Sequence, residues 1–430
     1  MIITAHFIEH AFLILLALYI LIECAIAVAQ TRSAEKHMHE IPPGFEKVIT
    51  PAGMVKAADY TVESVQAQLF LAFVGALFAL LMTQGRGLSF LIILAEHFAQ
   101  GVTAQWLLLA MLSAVMVLVE FPFAWWAQFR VKERFGYIRM PQKKWLLRTL
   151  QESFVGWLLI QPVFAILLML FEHSADIWWV VLWGAWTLWL LWRFKWSQTY
   201  GLFWHRHTRH WPKDETREAI AALLAKHGLV MDDLLVMSRP ASWHSASVLL
   251  TGFGTHRRVV VFAHIAKILT QEQLLALVAH EIAQVRHHHV LLRVSMYSAL
   301  GALIAFVCYW GSNHPIFFEG FGLTSFTLIN RPGALAGYVM AIVMVTFPML
   351  FYLLRPLLNS LSRALQFDAD RFACREVSAT ALTQALITIH KDRSESLHPA
   401  LIYELFHHRR PHVDVRVRKA RKMINTPASK

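Results

Sequence analysis

The chain has 430 residues, 57% of them hydrophobic and 16% charged, with a mean hydropathy of +0.46; that balance excludes an ordinary soluble enzyme and points to an integral membrane protein. A formal charge of +12 and an isoelectric point near 9.8 would suit a nucleic-acid binder, but the Lys and Arg lie mostly between apolar runs, as membrane orientation requires, so no nucleic-acid partner is expected. The three cysteines, Cys24, Cys308 and Cys374, outline no disulfide framework.

Seven apolar runs approach the ~20 residues needed to cross a bilayer: 11–28, 69–82 (lengthened by 65–68), 106–126, 154–171, 177–192, 294–310 and 334–354. Glu9 and His10 precede the first run where a signal peptide carries positive charge, so it reads as a retained span. The segment after it carries Arg32, Lys36, Lys47 and Lys56, and the one after the third run is strongly basic between Arg130 and Arg148. The alternate loops carry almost no cations: only Arg86 in 85–103 and only Arg331 in 313–333. This alternation places the N-terminus outside, and the 193–293 region and the C-terminal tail on the cytoplasmic side. Trp183, Trp186, Trp189 and Trp192 recur every three residues, a packing or interfacial stripe.

The chain thus divides into a five-span region, 1–192; an insert, 193–293; two further spans, 294–354; and a helix with a basic tail, 355–430. In the insert, 214–227 reads as a helix opened by Asp214 and stopped by Gly228. The short runs 234–237, 247–250 and 257–262, separated by Pro240, Gly252 and Gly254, read as strands. Residues 204–212 interleave His205, His207 and His210 with Arg206 and Arg209, a basic surface suited to anionic lipid headgroups. A second helical stretch, 359–376, follows the last span.

The insert ends on an amphipathic helix, 274–290, in which Leu274, Leu277, Val278, Ile282 and Val285 recur near a 3.6-residue period. It carries His280 and Glu281. In the HExxH pattern of zinc peptidases, two histidines at i and i+4 reach one metal and the Glu polarises its bound water. Here the fifth letter is Gln284, so the motif is HEIAQ.

These features together resemble the integral-membrane CAAX prenyl protease family of zinc metallopeptidases of the gluzincin type. The likeness runs through residues 41–61, the FRVKERFG of 129–136, the TGFG of 251–254 with 257–262 behind it, 279–283 and 370–373. It implies an all-α multi-pass membrane protein of about seven spans forming a barrel around a chamber, with a small α+β metallopeptidase-like cytoplasmic insert. The implied partners are the lipid bilayer and membrane-associated or lipidated peptides; neither the membrane nor an oligomeric state is specified. The resemblance makes His280 a metal ligand, Glu281 the general base and Asp370 the supporting carboxylate behind the ligands. Gln284 falls where the family has its second ligand His, and Gln366 where it has a ligand Glu. Ser247 stands at the Asn of a substrate-binding Asn-Ala pair, and Arg410 at the His of a His-Pro pair, with Arg416 kept beyond it.

A peptidase zinc needs three protein ligands drawn from imidazole, thiolate or carboxylate. Two neutral amides leave His280 alone, and Gln366 also lacks the negative charge that offsets the dication. Rescue from elsewhere meets geometric obstacles. His287, His288 and His289 lie about 10–13 Å along the axis from His280 at ~1.5 Å per residue and point in three different directions on the helix, which suggests an interfacial cluster. Asp368 is about 200° around its helix from Gln366 at ~100° per residue, pointing away. The expected protein is a family scaffold whose zinc is absent or weakly held, inactive as a protease yet able to bind membrane-associated peptides. The alternative is an active zinc metalloendopeptidase for prenylated or other membrane-associated substrates, with an unusual ligand set.

Overall fold

A computed structural model of the chain describes residues 4–41, 50–135, 141–173, 177–196, 208–237, 248–252, 254–323, 335–390 and 398–425. Among these, six helical runs are long and apolar enough to cross a membrane: Ala5–Lys36, Pro51–Met82, Val102–Val131, Gln142–Glu172, His289–Ser312 and Ala336–His390. The chain is therefore a mostly helical, multi-pass membrane protein, as its apolar runs require. The fifth expected span is a shorter helix, Trp178–Leu191, that passes into a π-helical stretch, Trp192–Trp196.

Two stretches depart from the sequence reading. The 85–103 segment, taken as a loop, holds an apolar helix, Gly87–Phe98. Its Leu88, Leu91, Ile92 and Ala95 form the buried i, i+3, i+4, i+7 face, while Phe90, Ile93 and Phe98 are exposed; at 12 residues it fails a length criterion set by bilayer thickness. The last span and the second helical stretch are one 38-residue helix, Ala336–Ala373. The shift from an apolar to an amphipathic pattern near 355 marks a change of surroundings, not of backbone.

The described chain forms two compact units. One comprises Met1–Arg32, Asp59–Thr187 and Ser298–Arg355. Leu108, Leu109, Leu112, Val339 and Ile342 are fully buried in its core, while Ile14, Leu118 and Leu159 are about two-thirds exposed, the surface expected of helices solvated by lipid tails. Within it the indole of Trp183 donates to the Ser298 carbonyl, 3.1 Å. Trp186 lies where a Cβ on Gly301 would stand 2.3 Å from its ring, so only glycine lets that helix approach.

The other unit comprises Ser33–Ala58, Leu188–Tyr297 and Pro356–Lys430. It contains four strands, β1 (Thr208–His210), β2 (Val230–Met237), β3 (Val248–Thr251) and β4 (His256–Phe262), in the order β1-β2-β4-β3. β4 pairs parallel with β2 and antiparallel with β3, and its Val259, Val260, Val261 and Phe262 are completely buried, as a continuous apolar run predicts for an inner strand. The helix Glu215–Lys226 starts where expected, with Asp214 accepting from the Arg217 N–H at 2.9 Å. In the turn between β3 and β4, the Arg257 guanidinium donates to the carbonyls of Gly252 and Gly254, 2.5 and 2.8 Å.

Candidate functional site

The helix that carries the HEIAQ motif runs over Gln271–Arg286 and is started by a capping box: Thr270 accepts from the Gln273 N–H at 3.4 Å and the Gln273 side chain accepts from the Thr270 N–H at 3.2 Å. Leu274, Leu277, Val278 and Ile282 anchor it in the second unit's core, and that packing leaves His280, Glu281 and Gln284 turned into a cavity of about 220 Å³. The long helix Ala336–Ala373 delivers Gln366 to the same space, Arg410 and Pro411 close another side, and Val248 and Leu249 of β3 line the wall.

His280 has a polar neighbour at each nitrogen. Its Nε2 lies 2.8 Å from the Gln366 amide nitrogen, which donates to it, so the ring proton sits on Nδ1, which stands 2.9 Å from Asp370 Oδ1 without hydrogen-bond geometry. Asp370 is also gripped by Arg416, whose Nε and Nη2 donate to the two carboxylate oxygens at 2.8 and 2.6 Å. The side chains of that pair are 8% and 14% exposed, so the bidentate contact compensates two charges largely removed from water. The Gln284 amide donates to Glu281 Oε1 at 3.0 Å. Burial pushes the Glu281 carboxyl up from its ordinary range, while the guanidinium charges of Arg410, Arg293 and Arg416 pull against that shift without cancelling it.

The residues singled out from the sequence thus lie around one cavity, His280, Glu281, Gln284, Gln366 and Arg410 along its wall and Asp370 behind His280. Ser247 lies outside the described residues. Arg293 and His390 also line the cavity and were not anticipated. Arg293 had a visible signal, a lone cation at the start of an apolar run; His390 had none, because it reaches the site from the end of a separate helix, Ala379–His390.

The donor set can be tested against zinc. The Nε2 lone pair that a metal would need already accepts an amide N–H. The groups flanking His280 at positions 284 and 366 are neutral, and Asp370 is neutralised by Arg416. Glu281 is the remaining carboxyl on the lining, and it already accepts the Gln284 amide, while the rest of the lining contributes Arg293, Arg410 and Arg416. This set does not fit a tetrahedral zinc with three strong protein ligands.

Comparison with known proteins covers most of the chain. Residues 30–193 match the family model of the CAAX prenyl protease N-terminal region, five membrane helices, and residues 215–424 match peptidase family M48. The chain is 21% identical over 335 residues to CAAX prenyl protease 1 of Saccharomyces cerevisiae, covering 73% of this chain and 71% of that protein. Over 320 residues it is 22% identical to the CAAX prenyl protease 1 homolog of Arabidopsis thaliana, 72% of each. The crystal structure of S. mikatae Ste24p shares the fold, with a TM-score of 0.77 at 18% identity over 98% of this chain and 100% of that one.

Proposed function

The chain belongs to the CAAX prenyl protease family of membrane metallopeptidases, and from that premise we propose that it is a catalytically silent member, a scaffold that binds membrane-associated or lipidated peptides without cleaving them. One observation carries this reading: the Gln366 amide occupies His280 Nε2, the position from which the family's chemistry would start. Admitting a dication would break the Gln366–His280 hydrogen bond, and the two glutamines return no charge for the exchange. The cavity and its polar lining remain, and with them a place for a peptide. The loop charges further support a cytoplasmic setting for the insert and the C-terminal tail.

The assay is cleavage of a prenylated CaaX peptide by the detergent-purified full chain, with and without added zinc. No cleavage above buffer is expected, while the same peptide should bind. Turnover that disappears in Glu281→Gln and His280→Ala would overturn the proposal and establish the second reading, an active zinc metalloendopeptidase. That reading is favoured by the retained frame of His280, Glu281, Asp370 and Arg416, in which Asp370 and Arg416 still orient the imidazole.

A further inference from the structure

Outside this cavity, the site helix ends in a way the sequence disguised. The helix stops at Arg286, His288 takes φ +53° and the next helix begins at His289. A left-handed backbone is uncommon at a residue with a Cβ, and His is among those that adopt it more readily. On an unbroken helix His287 and His289 would point about 200° apart at ~100° per residue. The turn at His288 brings both imidazoles to one carboxylate of the long helix instead.

His287 Nδ1 is hydrogen-bonded to Asp368 Oδ2, and His289 Nε2 lies 3.1 Å from the same oxygen. One ligand atom from each of the three side chains falls within 4.8 Å of the others, the one such group of His, Cys, Asp or Glu among the described residues. Asp368 is the residue that the helical geometry turned away from His280, and this is where it points.

We propose that His287, His289 and Asp368 form a binding site for a divalent transition metal, separate from the His280 cavity. Two imidazole nitrogens and a carboxylate oxygen are a donor set suited to zinc, cobalt or nickel. Metal–ligand bonds of about 2.0–2.1 Å in a tetrahedron set donor atoms about 3.3 Å apart; the His289–Asp368 pair already has nearly that spacing, the His287–Asp368 contact has to open, and the two imidazole nitrogens start within 4.8 Å of each other. The His289 side chain is 2% exposed, whereas those of His287 and Asp368 are 41% and 34% exposed. The site therefore has one fixed ligand inside, two at a mouth that an ion can enter, and a fourth position left to water.

Two features limit its affinity. Arg371 Nη2 lies 3.6 Å from Asp368 Oδ1 and competes for the carboxylate. When His289 Nε2 binds metal its proton moves to Nδ1, a buried atom with no hydrogen-bond partner. Exchangeable binding follows, weaker than a closed structural zinc site.

The inference does not depend on the reading of the His280 cavity, and its test keeps the two apart. The untagged full chain, stripped with a chelator in detergent, is titrated with Co²⁺ and followed by its visible absorption. One equivalent should bind, binding should be lost in Asp368→Asn and in His287→Gln, and it should be unchanged in His280→Ala. His287→Gln alters a half-exposed side chain and serves if Asp368→Asn melts early. Absence of saturable uptake by the native chain, uptake that survives both substitutions, or uptake abolished by His280→Ala would each overturn the proposal.

Discussion

Gln366 donates its side-chain N–H to Nε2 of His280 across 2.8 Å, joining two residues 86 positions apart. The contact closes a chain of polar groups that continues from His280 to Asp370 and Arg416. What the family resemblance reads as a lost ligand is, in this molecule, a hydrogen-bonded core.

Gln284→His with Gln366→Glu should turn that core back into a metal site. Two imidazoles one turn apart on one helix face and a carboxylate beside them restore the three strong ligands. About one equivalent of zinc should bind in a His287→Gln background, measured by metal analysis, and be lost when His280→Ala is added. Peptide cleavage should stay weak until Ser247→Asn and Arg410→His are also introduced, because groups that position substrate and stabilise the oxyanion remain replaced. A folded double variant that takes up no zinc would show that positions 284 and 366 do not converge on a metal.

The Asp370–Arg416 pair should matter to stability whether or not metal is ever bound. Removing one partner of a largely buried ion pair strands the other charge and costs about 3–5 kcal/mol, so Arg416→Ala should lower the melting temperature sharply. Asp370→Asn with Arg416→Met, which removes both charges, should melt well above Arg416→Ala. Equal melting of the two variants would contradict the assignment of that cost to a stranded charge.

The turn at Gly252 should tolerate no side chain. Its φ is +111°, and a Cβ would stand 2.5 Å from the His256 carbonyl oxygen. Gly252→Ala should therefore destabilise by more than ~1 kcal/mol, seen as early unfolding of the sheet by hydrogen exchange at β3 and β4.

Glu281 should make stability depend on pH. Burial raises its carboxyl above the ordinary value, so the folded state disfavours the ionised form. Its cost is absent at low pH, grows as pH rises between the unfolded and folded values and is constant above them. Glu281→Gln should consequently melt higher than the native chain at about pH 8, with the gap closing toward about pH 4. An advantage that is equal at both pH values would assign the effect to something other than ionisation.

Membrane orientation is tested by reporters. One fused after Lys430 or inserted near Lys226 should report the cytoplasmic side, and one near Gly320 the opposite side. The same side for Lys226 and Gly320 would overturn the charge-based topology.

Much of this protein was legible one segment at a time, because the signals involved are local. Apolar length marked the membrane helices, Asp214 marked a helix start, and the Val259–Phe262 run marked a buried strand. The identities at 280, 281, 284 and 366 were equally plain, since a motif states which ligand types are present. Local pattern misled where backbone and surroundings change independently: a shift in polarity split the continuous Ala336–Ala373 helix, and a short apolar helix at Gly87–Phe98 fell below the length of a span.

Only the tertiary structure decided which distant groups meet. That the Gln366 amide takes the metal-facing nitrogen of His280 depends on how two helices pack, and no periodicity within either helix carries that information. The reversal at His288 is similar: a positive φ at a non-glycine residue has no turn signature in the sequence. Three neighbouring histidines therefore read as three directions on one helix, whereas the fold gathers two of them on Asp368, about eighty residues away, because side-chain convergence belongs to packing between elements.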